Sequence, residues 1–369
     1  MSRFTPARSR YCRRPTGEAL LLPRRGVLIL GNFVSGSQHV RMVSEDLAHQ
    51  LAASGWLVLT ASDKEGRLAR LADMVTTVWS RRHQYAVAQV AVYSGSAFIW
   101  AEAVCWTLRR AGRPYILTLH GGHLPSFGRR WPRRMRQLLS SAAVVTAPSR
   151  YLVEQMRPYR EGIRLMPNSM VVDEYPFRVR KHPLPHLLWL RAFHASYNPS
   201  LAPKVLARLA PSFPDVRVTM IGPDKGDGSL RAMQEVASRL NVADRISIIG
   251  GVAKMTVGGW MGQADIFLNT TNVDNAPISV LEAMASGLCV ISTNVGGIPY
   301  MLEHERDALL VPPDDAEAMA AAVRRVLTEP GLAESLSRNG RRMAERSNWS
   351  VNLPKWEALL TAVAEGRQP

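Results

Sequence analysis

The chain is poor in cysteine: Cys12, Cys105 and Cys289 are the only three in 369 residues. They are odd in number and far apart, so neither a disulfide framework nor a metal-ligand spacing is supported. Cys289 lies in the run LCVIS, a core-packing context. Long apolar runs are missing too. None approaches the ~20 residues that span a bilayer. The N-terminal segment MSRFTPARSRYCRRPTGEALLLPRR has only Leu20–Leu22 as an apolar run, short of the about 7–15 residues of a signal-peptide core. The expectation is a cytoplasmic protein with a disordered basic tail over residues 1–25. Acidic residues are scarce, 30 against 46 lysines and arginines, for a net charge of +16. Such an excess points to an anionic partner: nucleic acid, acidic lipid or phosphorylated substrate. Arginine-rich composition alone is the plainer explanation.

What is present is alternation. Apolar strand-like runs (Gly26–Leu30, Trp56–Thr60, Val90–Tyr93, Tyr115–Leu119, Val144–Ala147, Ile163–Met166) alternate with helical periodicity, such as Gln38–Ala53 and Ala97–Arg110. That pattern predicts a parallel sheet covered on both faces. Gly31 and Gly36 bracket the first loop, but a full GxGxxG is absent. The segment Pro167–Pro185 carries four prolines and no clear period, and reads as a linker. A second alternating set follows, from His186–Leu190 to Leu309–Val311, with helices from about Asp315 and Leu332 and a last helix from about Val351 to Ala364. The fold class is therefore α/β with two Rossmann-like domains facing across a cleft. The expected boundaries are 26–178 and 179–349, with the helix 350–366 packing back on the first domain.

The stretch Asn269–Pro299 reads as strand end, polar loop, amphipathic helix, apolar strand and glycine turn. Asp274 and Glu282 are separated by seven residues. A loop acid feeding a helix N-terminus can hold a phosphorylated sugar: free N–H groups suit phosphate, and carboxylates accept bonds from sugar hydroxyls. Pro277 suits a first helical turn. The plainer alternative has Asp274 capping the helix and Glu282 on the surface.

Several pieces stand in a fixed order: LHGG at Leu119–Gly122, PNS at Pro167–Ser169, LRAFHASYNPSLA at Leu190–Ala202, DNAPISVLEAMASG from Asp274, VGGIP, and DALLVPPDD from Asp307. Together they resemble the GT-B glycosyltransferases, most closely the retaining glycosyltransferase family 4. The resemblance is strongest over Leu187–Pro313. It implies a nucleotide-diphosphate sugar donor, UDP- or GDP-linked, with no metal and no other cofactor, and a saccharide or lipid-linked saccharide as acceptor. The family's acid, seven residues, glutamate motif falls on Asp274, for the donor sugar, and Glu282, for the ribose. The first acid is usually Glu. Asn275, Ala276, Pro277 and Ile278 would present backbone to sugar and diphosphate, and Gly251 and Val252 would meet the base. Arg191 would grip the diphosphate. The family's lysine a few residues on is missing; Tyr197, Asn198 or Lys204 could replace it. His120 matches a family histidine near the reacting centre, with His123 a second candidate. Asn32, Gly36, Gly121 and Gly122 would face the acceptor.

The stretch Arg129–Arg136 (RRWPRRMR) leads a helix with Trp131, Met135, Leu138 and Leu139 on one face. It could rest on an anionic membrane, making the protein peripheral at the inner face, or be a core helix with a basic outer side. The rival readings are a GT-B epimerase, a phosphorylase, for which no pyridoxal-phosphate lysine is visible, and a basic nucleic-acid-binding protein, for which no zinc or aromatic-basic motif is present.

Overall fold

The computed structural model describes residues 25–31, 33, 43–64 and 66–367. The expected basic tail, Asn32 and Gly36 lie outside the described residues. The first half contains β1 (Gly26–Leu30), α1 (Val43–Ala53), β2 (Leu57–Ala61), α2 (Arg67–Ser80), β3 (Val87–Val92), α3 (Ser96–Arg110), β4 (Tyr115–Leu119), α4 (Leu124–Arg130), α5 (Pro132–Ser140), β5 (Val144–Ala147), α6 (Arg150–Met156) and β6 (Arg164–Leu165). The second contains β7 (His186–Leu190), α7 (Leu201–Leu209), β8 (Arg217–Ile221), α8 (Ser229–Arg239), β9 (Ile246–Ile249), α9 (Val257–Gly262), β10 (Ile266–Asn269), α10 (Ile278–Ala285), β11 (Cys289–Thr293), α11 (Ile298–Met301), β12 (Leu309–Val311), α12 (Ala316–Thr328) and α13 (Leu332–Glu345). The last helix is α14 (Trp349–Ala364).

Two six-stranded parallel sheets result, ordered β2-β1-β3-β4-β5-β6 and β12-β11-β10-β7-β8-β9. The expected α/β class is therefore observed. Strands such as GVLIL and YILTL are buried at every residue, as a sheet covered on both faces requires. Helix α2 carries Leu71, Met74, Val75 and Val78 at helical spacing, of which Met74 and Val78 are buried.

One face of the first sheet packs on α2, α3 and α5, with Met135, Leu138 and Leu139 inside that core. Of its apolar side, Met135, Leu138 and Leu139 are turned inward, as in the core-helix alternative, while Trp131 stays exposed, and Arg134 pairs with Glu102 of α3 at 2.6 Å. The other face packs on α1 and on α14, through Trp349, Trp356, Leu359, Leu360 and Val363. The C-terminal helix thus returns to the first sheet after the chain has built the second. Two segments cross between the halves side by side: the Met170 N–H donates to the Ser347 carbonyl at 3.0 Å, and Trp349 N–H to the Met170 carbonyl at 3.1 Å.

The proline-rich segment is pinned before it reaches β7. Arg180 is fully buried, its guanidinium donating to Asp265 Oδ1 at 3.2 Å and to the carbonyls of Arg178, Ser286, Met261 and Ala264. Burial pulls its pKa down to about 10, which still leaves it charged at neutral pH. Removing Arg180 leaves several buried carbonyls unpaired and Asp265 with Arg178 alone as its cation, at 2.5 Å. Arg180→Ala is expected to cost ~3–5 kcal/mol of stability. Urea denaturation checks it; a loss below ~1 kcal/mol, the scale of a surface ion pair, contradicts the buried-network assignment.

Candidate functional site

The site lies where the C-terminal ends of β7, β8 and β10 meet the strand ends of the first sheet. Arg191 follows β7 directly, and its N–H donates to the Ile221 carbonyl at 3.1 Å. That close approach requires Gly222, at φ +152°: a Cβ there would sit 1.8 Å from the Arg191 carbonyl oxygen. After β10, the loop to α10 is pressed from behind by the glycine pair of VGGIP. A Cβ on Gly296 would lie 2.1 Å from Asp274 O, and one on Gly297 1.9 Å from Asn275 O. The glycine turn therefore fixes the height of the acid-bearing loop.

Arg191 and Asp274 meet: Nη2 donates to Oδ2 at 2.6 Å, with both side chains largely buried. Asp274 Oδ1 accepts from the Asn275 N–H at 2.9 Å. Arg191 Nη1 reaches Ser279 Oγ at 3.5 Å, and its Nε is buried with no partner. The Tyr197 ring lies 4.0 Å from the guanidinium carbon, a cation–π contact that covers one face. Asp274 thus does not cap α10. The N-cap position belongs to Pro277, which was expected inside the first turn, so the first amides of the helix start at Ile278. Nor is α10 amphipathic: Ser279 to Ala285 are all buried.

Glu282 is buried, not a surface acid. It accepts from Tyr175 OH at 2.8 Å and pairs with the Lys254 ammonium. Burial and the neighbouring carboxylate push the Tyr175 phenol pKa up, keeping it a donor. Sequence reasoning missed both partners. Lys254 stands two residues after Val252, outside the window searched for a cation, and Tyr175 lies in the aperiodic proline-rich segment. Lys204 does not enter the cleft; it reaches Asp314 at 3.4 Å. Asn198, at φ +44°, also turns its amide to Asp314, at 3.2 Å. Gly251 is open above Pro223, 3.8 Å away, next to Val252.

The first domain faces this loop. Gly122 lies so close to Val273 that a Cβ would meet its Cγ1 at 2.8 Å, while Gly121, at φ +88°, looks onto open space. Ser149 caps α6 by accepting from the Leu152 N–H at 3.1 Å and donates its hydroxyl proton to Asn275 Oδ1. Asn168 Nδ2 donates to the Ala276 carbonyl at 2.8 Å. His123 touches Ser196 at 3.4 Å, leaving the inner position to His120. His120 is buried and stacked on Tyr93 at 5.2 Å. Below it, on the same sheet face, Gln89 donates to Thr118 at 2.8 Å and Thr146 to Thr118 at 3.0 Å. Among the described residues, no group of three or more His, Cys, Asp or Glu is arranged to hold a metal, and no helix is long and apolar enough to cross a membrane.

Residues 174–343, which carry Arg191, Lys254, Asp274 and Glu282, match the family model described as glycosyl transferases group 1. This part of the chain is therefore similar to the group 1 glycosyltransferases. The group 1 match stops short of the first sheet, but the fold does not. Sucrose-phosphate synthase from Thermosynechococcus elongatus superposes with a TM-score of 0.77 at 19% identity, covering 93% of this chain and 100% of that one. The Anabaena protein HepE, solved with UDP and glucose, gives 0.72 at 16% identity, covering 91% and 99%. Both likenesses are of fold. By sequence, a D-inositol 3-phosphate glycosyltransferase of Mycobacteroides abscessus is 30% identical over 184 residues, 48% of this chain and 40% of that protein. The chain thus spans less than half the length of this curated relative. Epimerase and nucleic-acid readings find no support in these likenesses.

Burial pulls the His120 pKa down to about 4. The unfolded histidine titrates near 6.5. Between those values the unfolded chain takes up a proton that the folded one refuses, so stability is full above about pH 6.5 and falls as pH drops toward 4. Between pH 7 and 4.5 the parent should lose roughly 2–3 kcal/mol more than His120→Asn. Urea unfolding at the two pH values measures it; equal losses would mean that the imidazole titrates normally in the fold.

Proposed function

We propose that this protein moves a sugar from a nucleoside-diphosphate sugar, UDP- or GDP-linked, to a hydroxyl of a saccharide or lipid-linked saccharide, with retention of anomeric configuration and without a metal. The observation that carries this is the Arg191–Asp274 pair beside the N-terminus of α10, opposite the open Gly121. The roles follow the chemistry. Arg191 and the first amides of α10 stabilise charge on the departing diphosphate. Asp274 accepts from a donor-sugar hydroxyl, and Glu282 from the ribose. Lys254 and Tyr175 hold the Glu282 carboxylate in place. The anomeric carbon–oxygen bond to phosphate breaks and a bond to the acceptor oxygen forms on the same face. The acceptor proton passes to an oxygen of the leaving diphosphate. His120, neutral at pH 7, supplies a hydrogen bond and no charge near the sugar. The relatives agree in class: one is a D-inositol 3-phosphate glycosyltransferase.

A setting in surface polysaccharide or glycolipid synthesis, at the inner face of a membrane, is part of this proposal. It draws on the outer helical layer of the first domain. There Trp79, Trp106 and Trp131 are exposed, with Arg82, Arg110 and Arg130 stacked on them. Exposed indoles with arginines suit an anionic lipid interface.

Thermal melting with UDP and GDP tests the core of the proposal. One of them at 100 times its Kd should stabilise by about 2.7 kcal/mol, and stabilisation by neither contradicts it. Asp274→Ala should fold yet lower transfer roughly 10²-fold or more; near-normal transfer by the folded variant removes the donor-sugar role. Lys254→Met should weaken nucleotide binding about tenfold, the scale of a hydrogen bond to a charged group. Unchanged affinity in a calorimetric titration would remove Lys254 from the site.

A further inference from the structure

The Arg191 guanidinium has one ionic partner, and that partner is the proposed sugar-binding acid. Nη2 is taken by Asp274 at 2.6 Å. The ring of Tyr197 covers one face, and Nε is buried without a partner. Among the described residues of the immediate group, the other cation, Lys254, is taken by Glu282. Hence each of these two described cations is matched by a carboxylate, and an arriving diphosphate competes with Asp274 for Arg191. The competing carboxylate is held in place: its second oxygen is tied to the Asn275 N–H, and its loop is backed by Gly296 and Gly297.

The two ligand forms that the site must tell apart differ here. In a nucleotide sugar the outer phosphate carries one charge, and the attached sugar brings hydroxyl donors. A hydroxyl can satisfy Asp274 as its share of Arg191 passes to phosphate. In a free nucleoside diphosphate the outer phosphate is terminal and takes a second negative charge near neutral pH. It brings no hydroxyl donor to Asp274. Asp274 would then face a like charge, partly buried, with less of its cation.

On the strength of the donor-site reading above, we infer that Asp274 is a specificity-determining residue. Through its ion pair with Arg191 it selects nucleotide sugar over free nucleoside diphosphate, and so favours release of the spent nucleotide. Asparagine at 274 keeps size and hydrogen bonding to a sugar but removes the competing charge.

The experiment is calorimetric titration of the full chain at ~150 mM salt, where screening beyond ~8 Å is already strong. The probes are UDP, GDP, UDP-glucose, UDP-N-acetylglucosamine and GDP-mannose. The parent should bind its preferred sugar nucleotide more tightly than the matching free diphosphate. Asp274→Asn should bind the free diphosphate about tenfold more tightly than the parent does, or ~1.4 kcal/mol, and lose the preference for the sugar form. Asp274→Ser is the second variant should the first fail to fold. Unchanged or weaker diphosphate binding in a folded variant overturns the inference and leaves the donor site standing, as does a parent that prefers the free diphosphate. A parent that binds none of the five probes overturns the donor-site reading itself.

Discussion

The Arg191–Asp274 ion pair is the contact on which the rest of the site depends. It joins the end of one central strand to the loop after its neighbour, since β7 and β10 pair directly in the second sheet. Its geometry is set by backbone and not by side-chain choice alone. Gly222 lets the β8 end come under Arg191, and Gly296 and Gly297 let the turn after β11 come under residues 274 and 275. A Cβ at any of these three glycines would lie 2.1 Å or less from a backbone oxygen, so the backbone there would have to move apart. The pair is largely buried, so its worth rests on desolvation matched by good geometry. The Asn275 amide supplies that match for the carboxylate, and Ser279 and the Tyr197 ring for the guanidinium.

The first domain supplies a surface more than a set of charges. Its contacts to the acid-bearing loop are neutral: Gly122 against Val273, Ser149 on Asn275, Asn168 on the Ala276 carbonyl. His120 belongs with them, since burial keeps its imidazole uncharged at neutral pH. The charged half and the neutral half are joined at one place, where the Pro167–Val171 segment runs beside residues 347–349. Helix α14 then anchors the chain end on the first sheet through two buried tryptophans. Anything that shifts one half against the other acts through these two adjacent crossings.

Much of the fold and part of the site were legible in the sequence. Strands β4, β5, β7, β9 and β12 are largely apolar runs whose boundaries could be read directly; β4 and β5 are buried throughout, as parallel strands covered on both faces are, while β9 is an exposed edge. Helix α2 was not read from the sequence, although Leu71, Met74, Val75 and Val78 stand at helical spacing; the structure buries only Met74 and Val78. The apolar side of α5 was visible as a stripe, but a stripe does not say whether it faces a core or a membrane. The sheet beneath it decided for the core. Arg191, Asp274 and Glu282 stood out by order and spacing. The partners of Glu282 did not, since Tyr175 and Lys254 come from segments 107 and 28 residues away in the chain.

The sequence by itself determined two layered α/β halves, the acid pair with its helix, and the glycines that mark close approach, because each of these is local: a period, a spacing, a turn that only glycine tolerates. The tertiary structure alone decided which charge meets which. It put Asp274 on Arg191, Lys254 on Glu282, and Lys204 and Asn198 on Asp314. Ion pairing depends on distances across strand ends, and those distances exist only once the sheet has set its order.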